Sequence, residues 1–190
     1  MKFAGTLSVL LSSFCLLFFN VYTPAQQKAT KGPAPDWDAL TPKIKVLVQD
    51  TCYGDGPEMW IGDSSDLIGD GTPLASVECS IGAYMDAIAF ITLENGEPVM
   101  AKFRDGGGKP VDQNFIDGAS VLHGAATVFI PTEHAIVQIY WGREDGKEPT
   151  VSDCAGTAYF WNRRNKTFDI DPKRSPEFKE RECRRNLEEH

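Results

Sequence analysis

Acidic residues beside glycines recur where they could bind a cation. Residues 54–61 read GDGPEMWI, residues 69–77 read GDGTPLASV, and residues 117–122 form a weaker copy, DGASVL. Glycine permits positive φ and aspartate hydrogen-bonds back to the backbone, so each pattern predicts a tight turn that leads into a strand. The candidate calcium ligands are Asp55, Asp66 and Asp70, because calcium prefers closely spaced oxygen ligands. The competing interpretation is a plain structural turn.

These turns resemble the acidic repeats of secreted FG-GAP and VCBS-type β-propeller proteins, in which an Asp-rich loop precedes a strand. Asp66 and Asp70 match the first and fifth positions of that loop, and Ile68 stands where a second acidic ligand belongs. The resemblance covers scattered pieces of residues 46–170. It implies repeated β units and calcium in the acidic loop.

Four aromatic side chains are candidate ligand-binding residues: Trp60, Tyr84, Tyr140 and Trp141. Tyrosine and tryptophan combine a large apolar ring with a polar atom, and they often anchor interfaces. They would bind an unknown protein or glycan partner. The competing interpretation is core filling and cross-strand pairing.

Catalytic motifs do not stand out in the sequence. It contains neither the G-x-S-x-G of many hydrolases nor a complete phosphate-binding loop. We therefore expect a non-catalytic binding module, with no catalytic residue and with calcium as the only candidate cofactor. Two alternatives stay open. One is a small secreted hydrolase with a carboxylate pair, since a retaining glycosidase needs only two carboxyl groups about 5 Å apart. The other is an inhibitor-like protein that presents a disulfide-held loop, residues 53–78.

The first 25 residues predict export. Lys2 precedes an apolar stretch at residues 3–20, and Thr23-Pro24-Ala25 supplies small residues for cleavage before Gln26. This pattern is typical of a secretory signal peptide, with an uncleaved anchor as the alternative. We expect a secreted or periplasmic protein without stable membrane insertion after cleavage. The net charge of −8 argues against a nucleic-acid partner.

Four cysteines follow the predicted signal peptide: Cys52, Cys79, Cys154 and Cys183. An even number in an exported chain predicts two disulfides, for which three connectivities exist. We favour Cys52–Cys79 and Cys154–Cys183, because each pair closes a short loop. A Cys/His zinc site is the alternative, although no cysteine pair has CxxC spacing.

Alternating apolar residues predict strands over most of the chain. They occur near residues 44–48, 99–103 and 135–141, whereas residues 87–93 are continuously apolar, as in a strand buried on both faces. Asn95-Gly96 predicts a hairpin, and Ser175-Pro176 predicts the start of a C-terminal helix. The fold class is therefore mostly β, an antiparallel sandwich or barrel-like single domain with a short C-terminal helix. Its predicted parts are the signal peptide (1–25), a flexible N-terminal arm (26–41) and one disulfide-stapled β domain (42–190).

Overall fold

A computed structural model describes residues 34–52, 59–82, 84–119, 123–142, 147 and 149–188 of the 190-residue chain. The predicted signal peptide and residues 26–33 of the predicted arm lie outside these residues. The described residues form three α-helices, α1 (Trp37–Leu47), α2 (Ser65–Ile68) and α3 (Ser175–Glu188). They also form eleven strands: β1 (Met59–Asp63), β2 (Leu74–Ser80), β3 (Met85–Glu94), β4 (Glu97–Met100), β5 (Phe103–Arg104), β6 (Pro110–Val111), β7 (Phe115–Ala119), β8 (His123–Ile130), β9 (Ala135–Gly142), β10 (Cys154–Asn162) and β11 (Thr167–Ile170).

All eleven strands belong to one sheet, ordered β1-β2-β3-β7-β8-β9-β10-β11-β5-β6, with β4 paired to β3. The chain leaves β4 and within three residues enters β5, which pairs with β11. The segment from β4 to β5 therefore links β3 to β11 and closes the sheet on itself. All pairs are antiparallel except β11–β5, which is parallel. The predicted fold class is confirmed in its barrel-like form, and the described strands form one closed sheet instead of the repeated units that the resemblance implies.

Aromatic rings fill the space that the closed sheet encloses. Phe90 is fully buried, and its ring centroid lies 5.2 Å from that of Phe115 and 5.9 Å from that of Phe103. Phe103 in turn stacks on Phe168 at 5.0 Å. These contacts join strands distant in the chain, so burial of their large rings stabilises the closed sheet.

Helices α1 and α3 cover two outer faces of the sheet. Ile44 and Val48 pack against alanine, valine and isoleucine side chains of β2 and β3. Phe178 of α3 packs edge-on against Phe160 of β10, with ring centroids 5.0 Å apart. Disulfides connect Cys52 to Cys79 and Cys154 to Cys183, the connectivity that we favoured. The first disulfide attaches the segment that follows α1 to β2, and the second attaches α3 to β10.

Two glutamine side chains fill gaps in the backbone ladder. The amide of Gln113 accepts a hydrogen bond from the backbone N–H of Phe90 (2.7 Å) and donates to its carbonyl (3.0 Å). The amide of Gln138 makes the same two bonds to Ile116, at 3.1 and 3.0 Å. Phe90 lies where β3 changes partner from β7 to β4. The side-chain amide there replaces the missing neighbouring peptide, so the buried backbone groups stay paired.

Several local predictions have a clear outcome. Asn95 and Gly96 both have positive φ (54° and 81°), and Glu94 pairs with Glu97, as expected for the predicted hairpin. The prediction of a strand at residues 44–48 is wrong, because residues 44–47 belong to α1 and Val48 caps its C-terminal end. Residues 37–41 of the predicted flexible arm also belong to α1, and the Trp37 side chain is buried. In the described part of the chain, no helix has the length and apolarity needed to cross a bilayer.

Candidate functional site

The structure describes two of the three candidate calcium ligands, Asp66 and Asp70. Asp55 lies outside the described residues, and Asp66 is exposed on α2. Asp70 uses one carboxylate oxygen to accept the Thr72 backbone N–H (2.9 Å) and the other to accept the Trp161 indole N–H (2.9 Å). Among the described residues, no group of three metal-ligating side chains lies close enough to hold an ion. Asp70 therefore has an observed structural role, and calcium binding stays a prediction.

The predicted binding aromatics occupy two kinds of position. Trp60 and Tyr84 are strongly exposed, at 53% and 71% of their full accessibility. Tyr140 and Trp141 are half-buried and line the same cleft, which has a volume of about 370 Å³. Met85, the residue after Tyr84, also lines this cleft, as do Ile116, His123, Gly124, Ala125, Gly142, Asp153 and Ala155. We call it the tyrosine cleft.

Small residues on the neighbouring strands make room for the tyrosine cleft. Tyr140 lies opposite Ala125 on β8 and opposite Ala155 on β10. Trp141 lies opposite Gly124, where an added Cβ would come within 2.2 Å of the indole ring. Only glycine therefore lets the Trp141 indole lie so close to the β8 backbone. This contact fixes the ring in one place.

Tyr140 is held by a hydrogen bond and remains a neutral phenol. Its hydroxyl group donates to the backbone carbonyl of Asn114 at 3.0 Å. Burial, assisted by the nearby Tyr159, raises the pKa of Tyr140 above its ordinary value. The tyrosine cleft therefore offers mainly apolar and aromatic walls with few polar groups. Such a cleft suits a ring or a branched apolar group better than a charged one.

Three carboxylates lie near one another on β2, β3 and β7. Asp86 and Asp117 are direct cross-strand partners, and Glu78 is diagonal to Asp86 across β2 and β3. Burial raises the pKa of Glu78, and the charges of Asp117 and Asp86 raise it further. Burial also raises the pKa of Asp117, although hydrogen bonds from the backbone N–H groups of Gly118 and Thr127 oppose the shift. We call Glu78, Asp86 and Asp117 the carboxylate row.

A second cleft, of about 280 Å³, contains Asp70 and Trp161. Burial alone would raise the pKa of Asp70. Hydrogen bonds from Trp161 and Thr72, together with the guanidinium of Arg163 at 3.6 Å, lower it below its ordinary value. The remaining lining residues are Gly71, Thr72, Pro73, Thr92, Leu93, Glu94, Lys102 and Lys166. We call it the tryptophan cleft.

Sequence reasoning selected Asp70 but not the cleft around it. Asp70 and Trp161 are 91 residues apart. Trp161 lies near the end of β10, and no local motif in the sequence marks it as part of a site. The carboxylate row was also missed as a group, because its members lie on three strands whose order and register no local pattern reveals.

Comparison with known proteins yields no match: no family model, no curated protein and no solved structure is significantly similar to this chain. Functional inference therefore rests on the geometry of these sites.

Proposed function

We propose that this protein is an exported, non-catalytic binding module that holds part of a protein partner in the tyrosine cleft. The observation that carries the proposal is that Tyr140 and Trp141 line one cleft of about 370 Å³. This volume lies in the range of small-molecule and side-chain sites, about 300–1,000 Å³. The cleft would accept one aromatic or branched aliphatic side chain of the partner.

The chemistry of the walls favours a protein partner over a glycan. Met85, Ile116 and the Tyr140 ring supply apolar surface, whereas sugar hydroxyl groups need many polar neighbours. The exposed Tyr84, next to Met85 in the chain, would extend the contact beyond the cleft. Exposed aromatic residues beside an apolar pocket are frequent anchors of protein interfaces.

Export is supported by covalent chemistry as well as by the N-terminal sequence pattern. The Cys52–Cys79 and Cys154–Cys183 disulfides are typical of proteins in oxidising compartments. We therefore propose a secreted or periplasmic location.

Indole is a suitable probe for the tyrosine cleft, because it reproduces an aromatic side chain. Its titration into the oxidised, ¹⁵N-labelled protein should shift the backbone amide resonances of Tyr140 and Trp141. Ala155→Trp, an exposed position that lines the cleft, should abolish these shifts by filling the space. Glu97→Trp adds the same ring at an exposed position that does not line the cleft, and it should preserve them. An unshifted wild-type spectrum, or equal shifts in all three proteins, would contradict the proposal.

The carboxylate row supports a hydrolase as the second candidate. A carboxyl group with a raised pKa stays protonated at weakly acidic pH, and it can then act as a general acid beside an ionised partner. The test is release of 4-nitrophenol from 4-nitrophenyl glycosides between pH 4 and pH 6, at about one-unit steps. Glu78→Gln and Asp117→Asn should each abolish release, whereas Asp66→Asn on the exposed face of α2 should not. A wild-type rate equal to that of buffer would exclude this activity on these substrates.

The inhibitor-like alternative requires residues 53–78 to form an accessible loop, and much of this segment belongs to the sheet or is buried. Residues 59–63 and 74–80 form strands of the sheet, and Leu67 and Ile68 between them are buried. Of the predicted loop 53–78, residues 53–58 lie outside the described residues. The described part of that loop is integrated into the fold.

A further inference from the structure

The tryptophan cleft shares no lining residue with the tyrosine cleft. It differs in chemistry, because ionised side chains stand beside one aromatic ring. We propose that it binds a hexuronic acid or a similar carboxylate-bearing monosaccharide, with the sugar ring against Trp161 and the carboxylate at Lys166. This is an activity separate from the function proposed above.

Trp161 is held in place before any ligand arrives. Its indole N–H donates to Asp70, whose side chain is only 9% exposed. Its ring packs against Phe168 with a centroid distance of 5.1 Å, and its backbone N–H donates to the carbonyl of His134 at 2.8 Å. The side chain is thus held by two contacts and its backbone by a third, so it loses little entropy on binding. The negative face of an aromatic ring attracts the C–H bonds that cover one face of a pyranose.

The charges at the tryptophan cleft indicate the sign of its ligand. Lys102 pairs with Glu94 at 2.5 Å, and Arg163 lies 3.6 Å from Asp70. Among the described residues, Lys166 is the one cation lining the cleft for which the structure shows no ion pair. One uncompensated ammonium group favours a ligand with one negative charge.

The remaining polar groups suit hydroxyl groups. Each Glu94 oxygen carries more than one acceptor site, and the Lys102 ammonium has three N–H donors, of which the ion pair needs only one. The Thr92 hydroxyl donates to the Pro73 carbonyl at 2.8 Å and keeps its lone pairs as acceptors. The cleft therefore offers both donors and acceptors to a polyhydroxylated ligand. A volume of about 280 Å³ limits the ligand to one sugar unit.

The position of Lys166 offers a substitution that preserves the fold. Lys166 has a φ of 52°, a left-handed conformation that asparagine adopts more readily than lysine. Lys166→Asn therefore removes the charge without straining the turn. Lys109→Asn removes a lysine from another exposed turn and serves as the matched control.

The test follows the indole N–H resonance of Trp161 by NMR while D-glucuronate is added. A titration to about 20 mM would nearly saturate a site with a Kd near 1 mM. We expect this resonance to shift, and we expect Lys166→Asn, but not Lys109→Asn, to weaken binding about tenfold or more. D-Glucose, which lacks the carboxylate, and acetate, which lacks the ring, should each bind about tenfold or more weakly than D-glucuronate to the wild type.

Three results would overturn the proposal. An unshifted Trp161 resonance would exclude the site, equal binding of acetate would reduce it to a simple anion site, and equal affinity in Lys166→Asn would exclude the role of that lysine. Ala155→Trp should leave glucuronate binding intact. A negative result for glucuronate binding at the tryptophan cleft is therefore distinguishable from a negative result for indole binding at the tyrosine cleft.

Discussion

The buried carboxylate of Asp70 accepts the indole N–H of Trp161 at 2.9 Å and thereby joins the turn after α2 to the hairpin of β10 and β11. The same carboxylate accepts the backbone N–H of Thr72. A single side chain thus satisfies two donors from segments far apart in sequence. Hydrogen bonds to a charged acceptor stabilise more than neutral ones, so this contact is a strong local constraint.

Removal of the Asp70 carboxylate should destabilise the protein measurably. Asp70→Ala leaves the indole N–H and the Thr72 N–H without their acceptor, and we expect the free energy of unfolding to fall by about 2–3 kcal/mol. Urea denaturation followed by circular dichroism measures this loss. Asp66→Ala, on the exposed side of α2, should change it by about 0.5 kcal/mol or less. Equal losses in both variants would contradict the proposed role.

The contribution of Asp70 should depend on pH in a defined direction. Its pKa is lower in the folded protein than the ordinary value of 3.8, so the ionised form stabilises the fold. This stabilisation is fully present above the ordinary value and disappears as the pH falls through the folded-state pKa. The stability difference between wild type and Asp70→Asn should therefore be constant near neutral pH and shrink below pH 3.8. A difference that grows on acidification would show the opposite pKa shift.

The carboxylate row should show the opposite dependence. The pKa of Glu78 is raised above its ordinary value of 4.5, so its ionised form destabilises the fold. Glu78→Gln should therefore increase stability at pH 7 by about 0.5–1 kcal/mol, because it removes the cost of burying the charge and, to a smaller extent, its repulsion by Asp117 and Asp86. The gain should disappear as the pH falls below 4.5. Thermal melts across this range test the prediction, and a gain that is independent of pH would argue against charge repulsion.

Gln138 should be among the least replaceable polar residues. Its side chain is only 3% exposed, and its amide pairs with both backbone groups of Ile116 and with the Thr127 hydroxyl. Gln138→Leu leaves the Ile116 N–H without its acceptor, whereas the Thr127 hydroxyl still donates to the Ile116 carbonyl at 3.0 Å, so the change should cost about 1–3 kcal/mol. Gln49→Leu, at an exposed position, is the matched control and should change stability little. Chemical denaturation measures both losses, and equal losses in the two variants would contradict a special role of the Gln138 amide.

The Cys154–Cys183 disulfide should control the attachment of α3. Replacing both cysteines by alanine should lower the unfolding free energy by about 3.5 kcal/mol, because the bond closes a loop with a sequence separation of 29. Amide hydrogen exchange in α3 should also accelerate. The double variant at Cys52 and Cys79, with a separation of 27, should lose similar stability while α3 keeps its protection relative to the sheet. Equal acceleration of α3 in both variants would mean that the helix unfolds only with the whole domain.

Local sequence signals predicted much of the sheet and one helix correctly. Asn95-Gly96, the apolar residues 87–93 and the cysteine spacing each depend on short-range chemistry, and all three predictions are confirmed. The sequence analysis missed helix α1 because the spacing of two between Ile44, Val46 and Val48 fits a strand. Ile44 and Val48 without Val46 are four residues apart, which fits a helix. In the structure these two are buried and Val46 is exposed, which identifies the helical period.

The candidate sites were less predictable for a different physical reason. Tyr140 and Trp141 could be selected by residue type alone, whereas the cleft around them depends on the small residues that β8 and β10 place opposite them. The carboxylate row depends on the alignment of β2, β3 and β7. Such alignments arise from long-range packing, which a single sequence does not display.

The two disulfides also determine how the protein would carry mechanical load. A pulling force applied at residues 34 and 188 would pass through the bonds Cys52–Cys79 and Cys154–Cys183, because each bond covalently bypasses the loop that it closes. Residues 53–78 and 155–182 would then bear no tension. The shielded segments include Asp70 and Trp161, whereas β3 to β9 lie in the loaded part of the chain. Stretching the oxidised chain would therefore pull on the tryptophan cleft from one side only, through its lining residues Thr92, Leu93, Glu94 and Lys102.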